Sequence, residues 1–288
     1  MILNFGSINL DLVYQVPHLP GPGETLASTS FERHLGGKGV NQSIAAARSG
    51  AEVRHIGCLG PDGDWLREQI AEFGLSTNEI VEVTTPTGHA VIYVDAAAEN
   101  QIVLFGGSNQ SFTEQQVDTA LDTAQAGDWV LLQNETNLVP YIARQARARG
   151  VNVAYSAAPF DAGAVREVIE HVTLLALNEG EAAALQEELG QGPDSLGVAH
   201  VLVTKGTRGA ELHSGGQVFH QDSFSVDAVD TTGAGDTFLG AFMARFVEGD
   251  AQAALRFAAA ASAVQVTRKG AATAIPTAEE VEAFLQGA

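Results

Sequence analysis

Past residue 128 the chain alternates short apolar runs with helix-period segments, and that alternation leaves few folds open. The runs at 129–133, 151–155, 172–177 and 201–204 are too short for helices and too continuously apolar for strands with one wet face. Helical patterns fall between them at 138–149, closed by Gly150, at 164–170 and at 179–188. Strand and helix in repetition imply a mostly parallel sheet with helices over both faces. The opening third differs. Residues 13–31 and 90–105 read as strands, and the small, polar link 96–100 suits a hairpin between 90–95 and 101–105. Hairpins do not fit inside a parallel sheet. The expectation is one α/β body over 1–288 carrying a small β lid, its segments near 11–35 and 86–106. These are separated in sequence by the helix after Gly36 and the apolar unit 53–59. Lids of this kind exclude water from a reaction centre. The Ala-rich stretch 251–263 reads as an ordinary helix of good formers.

Composition narrows the partners. An apolar fraction of 45% with 17% charged residues is that of a folded globule. A formal charge of −20 repels phosphate backbones and anionic lipid, so neither nucleic acid nor membrane is expected as a partner. Lys38, Lys205, Arg208 and Lys269 stand near glycines and could each make a local positive site for a small anion. Cys58 is the single cysteine, which precludes an intrachain disulfide and reads as a buried small hydrophobe. No apolar stretch reaches the ~18 residues a span needs, and no basic leader precedes the first strand pattern. The expected compartment is the cytoplasm.

The sharpest chemical signal is Asp230-Thr231-Thr232-Gly233-Ala234-Gly235-Asp236, followed at once by an apolar helix pattern. Small residues opening a helix leave backbone N–H groups aimed at one spot, where the helix dipole adds about half a positive charge. Gly233, Ala234 and Gly235 thus form a candidate anion hole. Asp236, in the first turn, would be held ionised, as a base must be. A plain N-terminal cap would also place Asp there, but a cap needs no Gly-Ala-Gly approach, whereas a transferring phosphoryl group needs close backbone and no side chain in the way.

A second glycine cluster, Gly36-Gly37-Lys38-Gly39-Val40-Asn41, precedes the helix-like 42–49 and lacks the Gly-x4-Gly-Lys-Ser/Thr pattern of a Walker loop. It reads as backbone packed against a small ligand, with Asn41 able to donate to and accept from adjacent hydroxyls; a tight strand-to-helix turn explains it equally well. After the first strand pattern, Asn9 and Asp11 lie on one face near a strand's carboxyl end, where open α/β sheets bind ligands. No Gly-x-Gly-x-x-Gly follows that strand, which disfavours a dinucleotide oxidoreductase.

These motifs resemble the ribokinase-like (PfkB) family of sugar and nucleoside kinases over nearly the whole chain. The likeness rests on residues 6–11, Pro22-Gly23-Glu24-Thr25, residues 36–41, Leu177-Asn178-Glu179-Gly180-Glu181, Thr204-Lys205-Gly206-Thr207-Arg208-Gly209, and residues 230–236 and 266–271, in that order. The resemblance implies a three-layer α/β/α sandwich with a β lid, ATP as phosphoryl donor, a small sugar as acceptor, and Asp236 as the base. It matches Asn9, Asp11, Gly37, Lys38, Asn41 and Glu135 to sugar-binding positions, and Asn178, Thr204, Gly206, Arg208 and Gly209 to the ATP side. Glu181 would organise Mg²⁺ through water, in keeping with an ion that retains most of its hydration. Asp230, Thr232, Gln265, Arg268, Gly270 and Ala274 fall where the family binds a monovalent cation, implying K⁺ through backbone carbonyls. Lid strands of the family often pair between subunits, so a homodimer is expected. Two departures stand out. Ser156-Ala157-Ala158-Pro159 replaces the commoner Asn-Pro-Ala-Pro, and Ala259 stands where a His usually packs on adenine.

The resulting expectation is ATP-dependent phosphorylation of a primary hydroxyl, with ribose giving ribose 5-phosphate. Within the family, a nucleoside, fructose or its phosphate, or a keto-deoxy sugar acid is the alternative acceptor. Glu135 with Asn9 and Asp11 suits a neutral polyol better than an anionic one. From another class, a sugar-sensing protein that kept the fold and lost turnover is the alternative, against which the intact Asp236, Gly233, Gly235 and Asn178 speak.

Overall fold

The structure is a computed structural model and describes residues 1–97, 99–247 and 249–287. In chain order the elements are β1 (Ile2–Phe5), β2 (Asn9–Gln15), β3 (Ser30–Gly36), α1 (Lys38–Arg48), β4 (Val53–Leu59), α2 (Asp64–Glu72) and β5 (Ile80–Glu82). Then come β6 (His89–Val94), β7 (Asn100–Phe105), α3 (Glu114–Leu121), β8 (Trp129–Gln133), α4 (Val139–Ala148), β9 (Asn152–Ser156) and α5 (Ala162–Val168). The chain continues through β10 (Leu174–Asn178), α6 (Glu179–Leu189), β11 (His200–Thr204), β12 (Ala210–Ser214), β13 (Gln217–Gln221), α7 (Ala234–Phe246), α8 (Ala251–Val266) and α9 (Ala278–Gly287).

Nine strands form the main sheet in the order β13-β12-β11-β10-β9-β8-β1-β4-β5, parallel from β11 to β5, with an antiparallel edge at β12 and β13. The continuous apolar runs follow from burial on both faces. In β8, Val130 and Leu132 join Tyr155 and Leu175 beneath α3 to α6, while Trp129 and Leu131 join Phe242 and Leu255 beneath α7 and α8. Asn4 shares a face of β1 with Ile2, so a buried amide points toward α1 and α7. This is the three-layer α/β/α arrangement the sequence implies.

The lid is a four-stranded sheet, β3-β2-β6-β7. Its pairs are antiparallel except β2 with β6, which run parallel, so the lid is mixed. The expected hairpin is present as β6 and β7, paired from His89↔Phe105 to Val94↔Asn100; residue 98 of its 96–100 link lies outside the described residues. One boundary shifts in a way that matters. The second glycine cluster is not a loop ahead of a helix, because α1 already begins at Lys38 and places Lys38 and Asn41 in its first turn. Gly37, at φ 104°, supplies the entry, and a Cβ there would lie 2.9 Å from the Ser7 carbonyl oxygen.

Strand order reverses at β1, with β4 on one side and β8 on the other, which opens a crevice at the carboxyl ends of these strands. Among the described residues no helix is long and apolar enough to cross a membrane. Cys58 is buried, and burial pushes its thiol up to about 11.

Candidate active site

A cleft of about 200 Å³ opens over the carboxyl ends of β9, β10 and β11 and is floored by the start of α7. Lys38, Asn178, Glu181, Thr204, Gly233, Ala234, Gly235 and Asp236 all line it, so sequence-distant candidates converge. Gly233 has φ 74°, a left-handed turn that swings the chain into α7, and Ala271 packs tightly beside it. The N–H groups of Gly233 and Gly235 find no acceptor among the described residues. That of Ala234 is given to the Thr231 carbonyl at 3.2 Å, so the free donors are the two glycines.

Asp236 is buried in the first turn of α7. Burial holds its carboxyl above the usual range although the Lys38 ammonium and the side chains of Gln42 and Asn41 pull it down, so the helix start does not by itself keep it ionised as expected. Gln42 Nε2 donates to Asp236 Oδ1 at 2.9 Å. In return Asp236 is the chief cause holding the Lys38 ammonium above its usual range.

On the lid side of Lys38, side chains of β2, α1 and the segment after β8 meet. Glu135 Oε2 accepts from the Lys38 backbone N–H at 2.9 Å and from the Ser7 hydroxyl. Burial raises the Glu135 carboxyl and pushes Asp11 up to about 7, with Glu135 adding to the rise at Asp11. Gly36 leaves room for this carboxylate: a Cβ there would fall 2.1 Å from Asp11 Oδ2 and displace it. Asn9 Oδ1 accepts from Asn109 Nδ2 at 2.7 Å, which leaves the Asn9 NH2 as the available end. Asn41 is buried, and its Oδ1 has no partner among the described residues. A buried carbonyl oxygen left unsatisfied carries a cost of ~1–3 kcal/mol that a ligand hydroxyl would relieve.

On the far side, Asn178 caps α6 and forms a capping box with Glu181: Asn178 Oδ1 accepts from the Glu181 N–H at 2.9 Å, and Glu181 Oε2 accepts from the Asn178 N–H at 2.8 Å. The cap and the cleft lining coexist. Glu181 brings a carboxylate to the cleft lining, and among the described residues no three His, Cys, Asp or Glu side chains cluster as a metal site. Thr204 lines the cleft, but Gly206, Arg208 and Gly209 form the turn between β11 and β12 outside its lining. There Arg208 is exposed and paired with Glu179, and Lys205 pairs with Glu211 at 2.5 Å, so Lys38 is the cation that faces the cleft. Gly209, at φ 84°, lets the chain pass the Gln221 carbonyl.

The residues 230–232 and 265–274 form one loop cluster under Gly233. Asp230 accepts from the N–H of Thr232 and of Gly270, each at 2.9 Å, and with Lys269 nearby its carboxyl lies below the usual range although burial opposes this. Gln265 Nε2 donates to the Thr232 carbonyl at 2.8 Å, while its Oε1 is buried without a partner among the described residues. The Arg268 guanidinium pairs with Glu280 at 2.6 Å, which leaves only its backbone for an ion, and Ala274 is buried in a short 3-10 turn. Carbonyls and one orphaned amide oxygen fit a weakly hydrated monovalent cation.

Residues 1–278 match the family described as pfkB family carbohydrate kinase. The chain belongs to the pfkB family of carbohydrate kinases. A ribokinase of Haemophilus influenzae is 37% identical over 299 residues, covering 98% of this chain and 97% of that protein. Among solved structures, a ribokinase of Thermotoga maritima superposes with a TM-score of 0.87 at 34% identity, covering 99% of both chains. A ribokinase of Arabidopsis thaliana complexed with ribose and ATP superposes with a TM-score of 0.87 at 29% identity, covering 99% of this chain and 98% of that one.

The two departures of this pfkB kinase fall where they can be weighed. Ser156 is buried and lines the cleft, whereas Ala259, on α8, packs into the buried core that α8 shares with α7. Three residues of the site were not singled out from the sequence: Ser7, Asn109 and Gln42. Asn109 grips the β1–β2 turn, its Oδ1 accepting from the Ile8 N–H at 2.9 Å and its Nδ2 donating to the Ile8 carbonyl at 3.2 Å. Only the preceding Gly106-Gly107 pair hints at a special turn there. Gln42 stands directly after the glycine cluster, and its place one residue beyond Asn41 is its only sequence signal.

Proposed function

We propose that this pfkB-family kinase transfers the γ-phosphoryl group of ATP to the primary hydroxyl of ribose, giving ribose 5-phosphate. The observation that carries the reading is the buried carboxylate of Asp236 at the opening of α7, beside the free N–H groups of Gly233 and Gly235 and the Lys38 ammonium. Asp236 takes the proton of the attacking hydroxyl. The oxygen attacks in line, the phosphoryl–ADP bond breaks, and the Gly233 and Gly235 amides take up charge, with Ala234 shaping the turn rather than donating.

Ribose binds under the lid. Its hydroxyls meet the Asn9 NH2, the Asp11 and Glu135 carboxylates and the orphaned Asn41 Oδ1, with Gly37 allowing close backbone approach. The two carboxylates of Asp11 and Glu135 on the lid side favour a neutral polyol over a sugar phosphate or sugar acid. ATP lies along Asn178 and Thr204, with Gly206, Arg208 and Gly209 at the outer rim. Mg²⁺, held by phosphates and by water on Glu181, would supply charge neutralisation at the transferring group. Asp230, Thr232, Gln265 and the carbonyls of Arg268, Gly270 and Ala274 would hold K⁺ beneath the anion hole. The relatives named as ribokinases, one of them complexed with ribose and ATP, support the same acceptor and donor. A homodimer through the lid and a cytoplasmic location complete the reading.

ADP formation measured with ribose, deoxyribose, fructose and nucleosides, each with and without K⁺, tests it. Ribose is expected to give the highest kcat/KM, raised by K⁺. A nucleoside or fructose at the top of the panel would replace the substrate, and ligand-induced thermal stabilisation without any ADP would replace the enzyme by a sensor.

A further inference from the structure

The carboxylate of Asp236 is aimed from behind. Gln42 donates to its Oδ1 through Nε2, but a primary amide could equally turn its carbonyl forward, which would repel the carboxylate. The flip is forbidden by a buried chain of side chains whose polarity starts at a backbone carbonyl. Asn4 Nδ2 donates to the Gly39 carbonyl at 2.7 Å and to Ser43 Oγ at 2.8 Å; a carbonyl can only accept, so Asn4 must present Oδ1 on its other side. That oxygen accepts from Gln133 Nε2 at 3.0 Å, and the second hydrogen of the same nitrogen goes to Gln42 Oε1 at 2.8 Å. Gln42 therefore has only its NH2 to offer Asp236. The Ser43 hydroxyl, which accepts from Asn4, also hydrogen-bonds His55 Nδ1 at 2.8 Å. All of these side chains are buried, and they come from β1, α1, β4 and β8.

We propose that Gln42 is a positioning residue for phosphoryl transfer: oriented by Gln133 and Asn4, it pins Oδ1 of Asp236 and so sets the direction in which the carboxylate meets the acceptor hydroxyl. The proposal rests on Asp236 being the base. It also requires α1 and α7 to touch, and they do so at Gly240, where a Cβ would lie 2.5 Å from the Gln42 carbonyl oxygen.

The test is kcat and KM across pH for Gln42→Met, which keeps the length of the side chain and removes the donor. Loss of a hydrogen bond to a charged group is expected to lower kcat about 10- to 100-fold. KM for ribose and ATP should stay within about twofold, because Gln42 is buried behind Asp236 and does not line the cleft. The acid limb of kcat should move to higher pH, since the lost donor favoured the ionised carboxylate. In an Asp236→Asn background the same change should cost little, a coupling that a merely structural role would not show. Gln133→Met leaves Gln42 in place but unlocks its amide, and should give a smaller loss with the same displacement of the acid limb; it serves if Gln42→Met does not fold. Wild-type kcat and acid limb in a folded variant at either position, or an equal loss with and without Asp236, overturns the proposal. Wild-type turnover in Asp236→Asn alone would instead remove the base and leave Gln42 with nothing to aim.

Discussion

Burial holds the carboxyls of Asp236 and Asp11 both above the usual range, against different neighbours. Asp236 sits at a helix N-terminus facing Lys38, Gln42 and Asn41, all of which favour its charge, whereas Asp11 faces Glu135, which opposes it. Asp11 thus reaches about 7 while its unfolded value is near 3.8. A folded pKa above the unfolded one means the native state holds the extra proton between those values. The associated stability is present below about pH 4 and is lost as pH rises through 7. Asp11→Asn should therefore stabilise the free protein relative to wild type by more at pH 8 than at pH 4.5, with a difference of about 2–4 kcal/mol by denaturant unfolding. Ribose affinity should fall in the same variant. A stability difference independent of pH would contradict this account of Asp11. Residues such as Asp236 were legible because a glycine-flanked acid at a helix start is a local pattern. Ser7, Gln42 and Asn109 were not, since each acts on a partner far along the chain: Ser7 on Glu135 at a separation of 128, Gln42 on Asp236 at 194 and Asn109 on Asn9 at 100.

At the scale of elements, the site depends on helices entering at glycines. Gly37 opens α1 and Gly233 opens α7, each with a positive φ, and Gly240 lets the two helices approach until backbone meets backbone. Gly240→Val would place carbon 2.5 Å from the Gln42 carbonyl oxygen and 2.6 Å from Ala45 Cβ, so the helices must part. A loss of ~1–3 kcal/mol in stability and at least a tenfold fall in kcat are expected, checked by thermal unfolding and steady-state assay. An unchanged kcat with lowered stability would mean that helix separation does not govern Asp236. Strands β8 to β11 were readable to within two residues at each end, because burial on both faces writes an unbroken apolar run, whereas the short edge strand β5, two of its three residues exposed, was not read. The start of α1 at Lys38 was not, as glycines there looked like loop. The β12–β13 hairpin was missed as well, because half-exposed polar strands such as Gln217–Gln221 carry no such run.

For the molecule as a whole, a rigid parallel sheet presents the site at its strand ends and a separate sheet covers it. The lid's outer strand, β7, leaves Ile102, Val103, Leu104 and Phe105 exposed along an unpaired edge, as is Phe31 on β3. An edge so apolar invites pairing, and a second copy of the lid is the partner we propose. Leu104→Lys should turn a dimer into a monomer by light scattering at micromolar concentration, whereas a wild-type monomer would contradict the dimer. The lid's existence was legible from hairpin signals where a parallel sheet forbids them; its mixed pairing was not, because β2 and β6 are joined only through the tertiary fold.

The measurement that bears most directly on the kinase reading is ribose-dependent ADP formation by wild type and by Asp236→Asn, with folding of both verified by thermal unfolding. The expected result is an intact fold with turnover lowered by about 10²–10⁴-fold, the range for removing a positioned base. Turnover near the wild-type rate would contradict it.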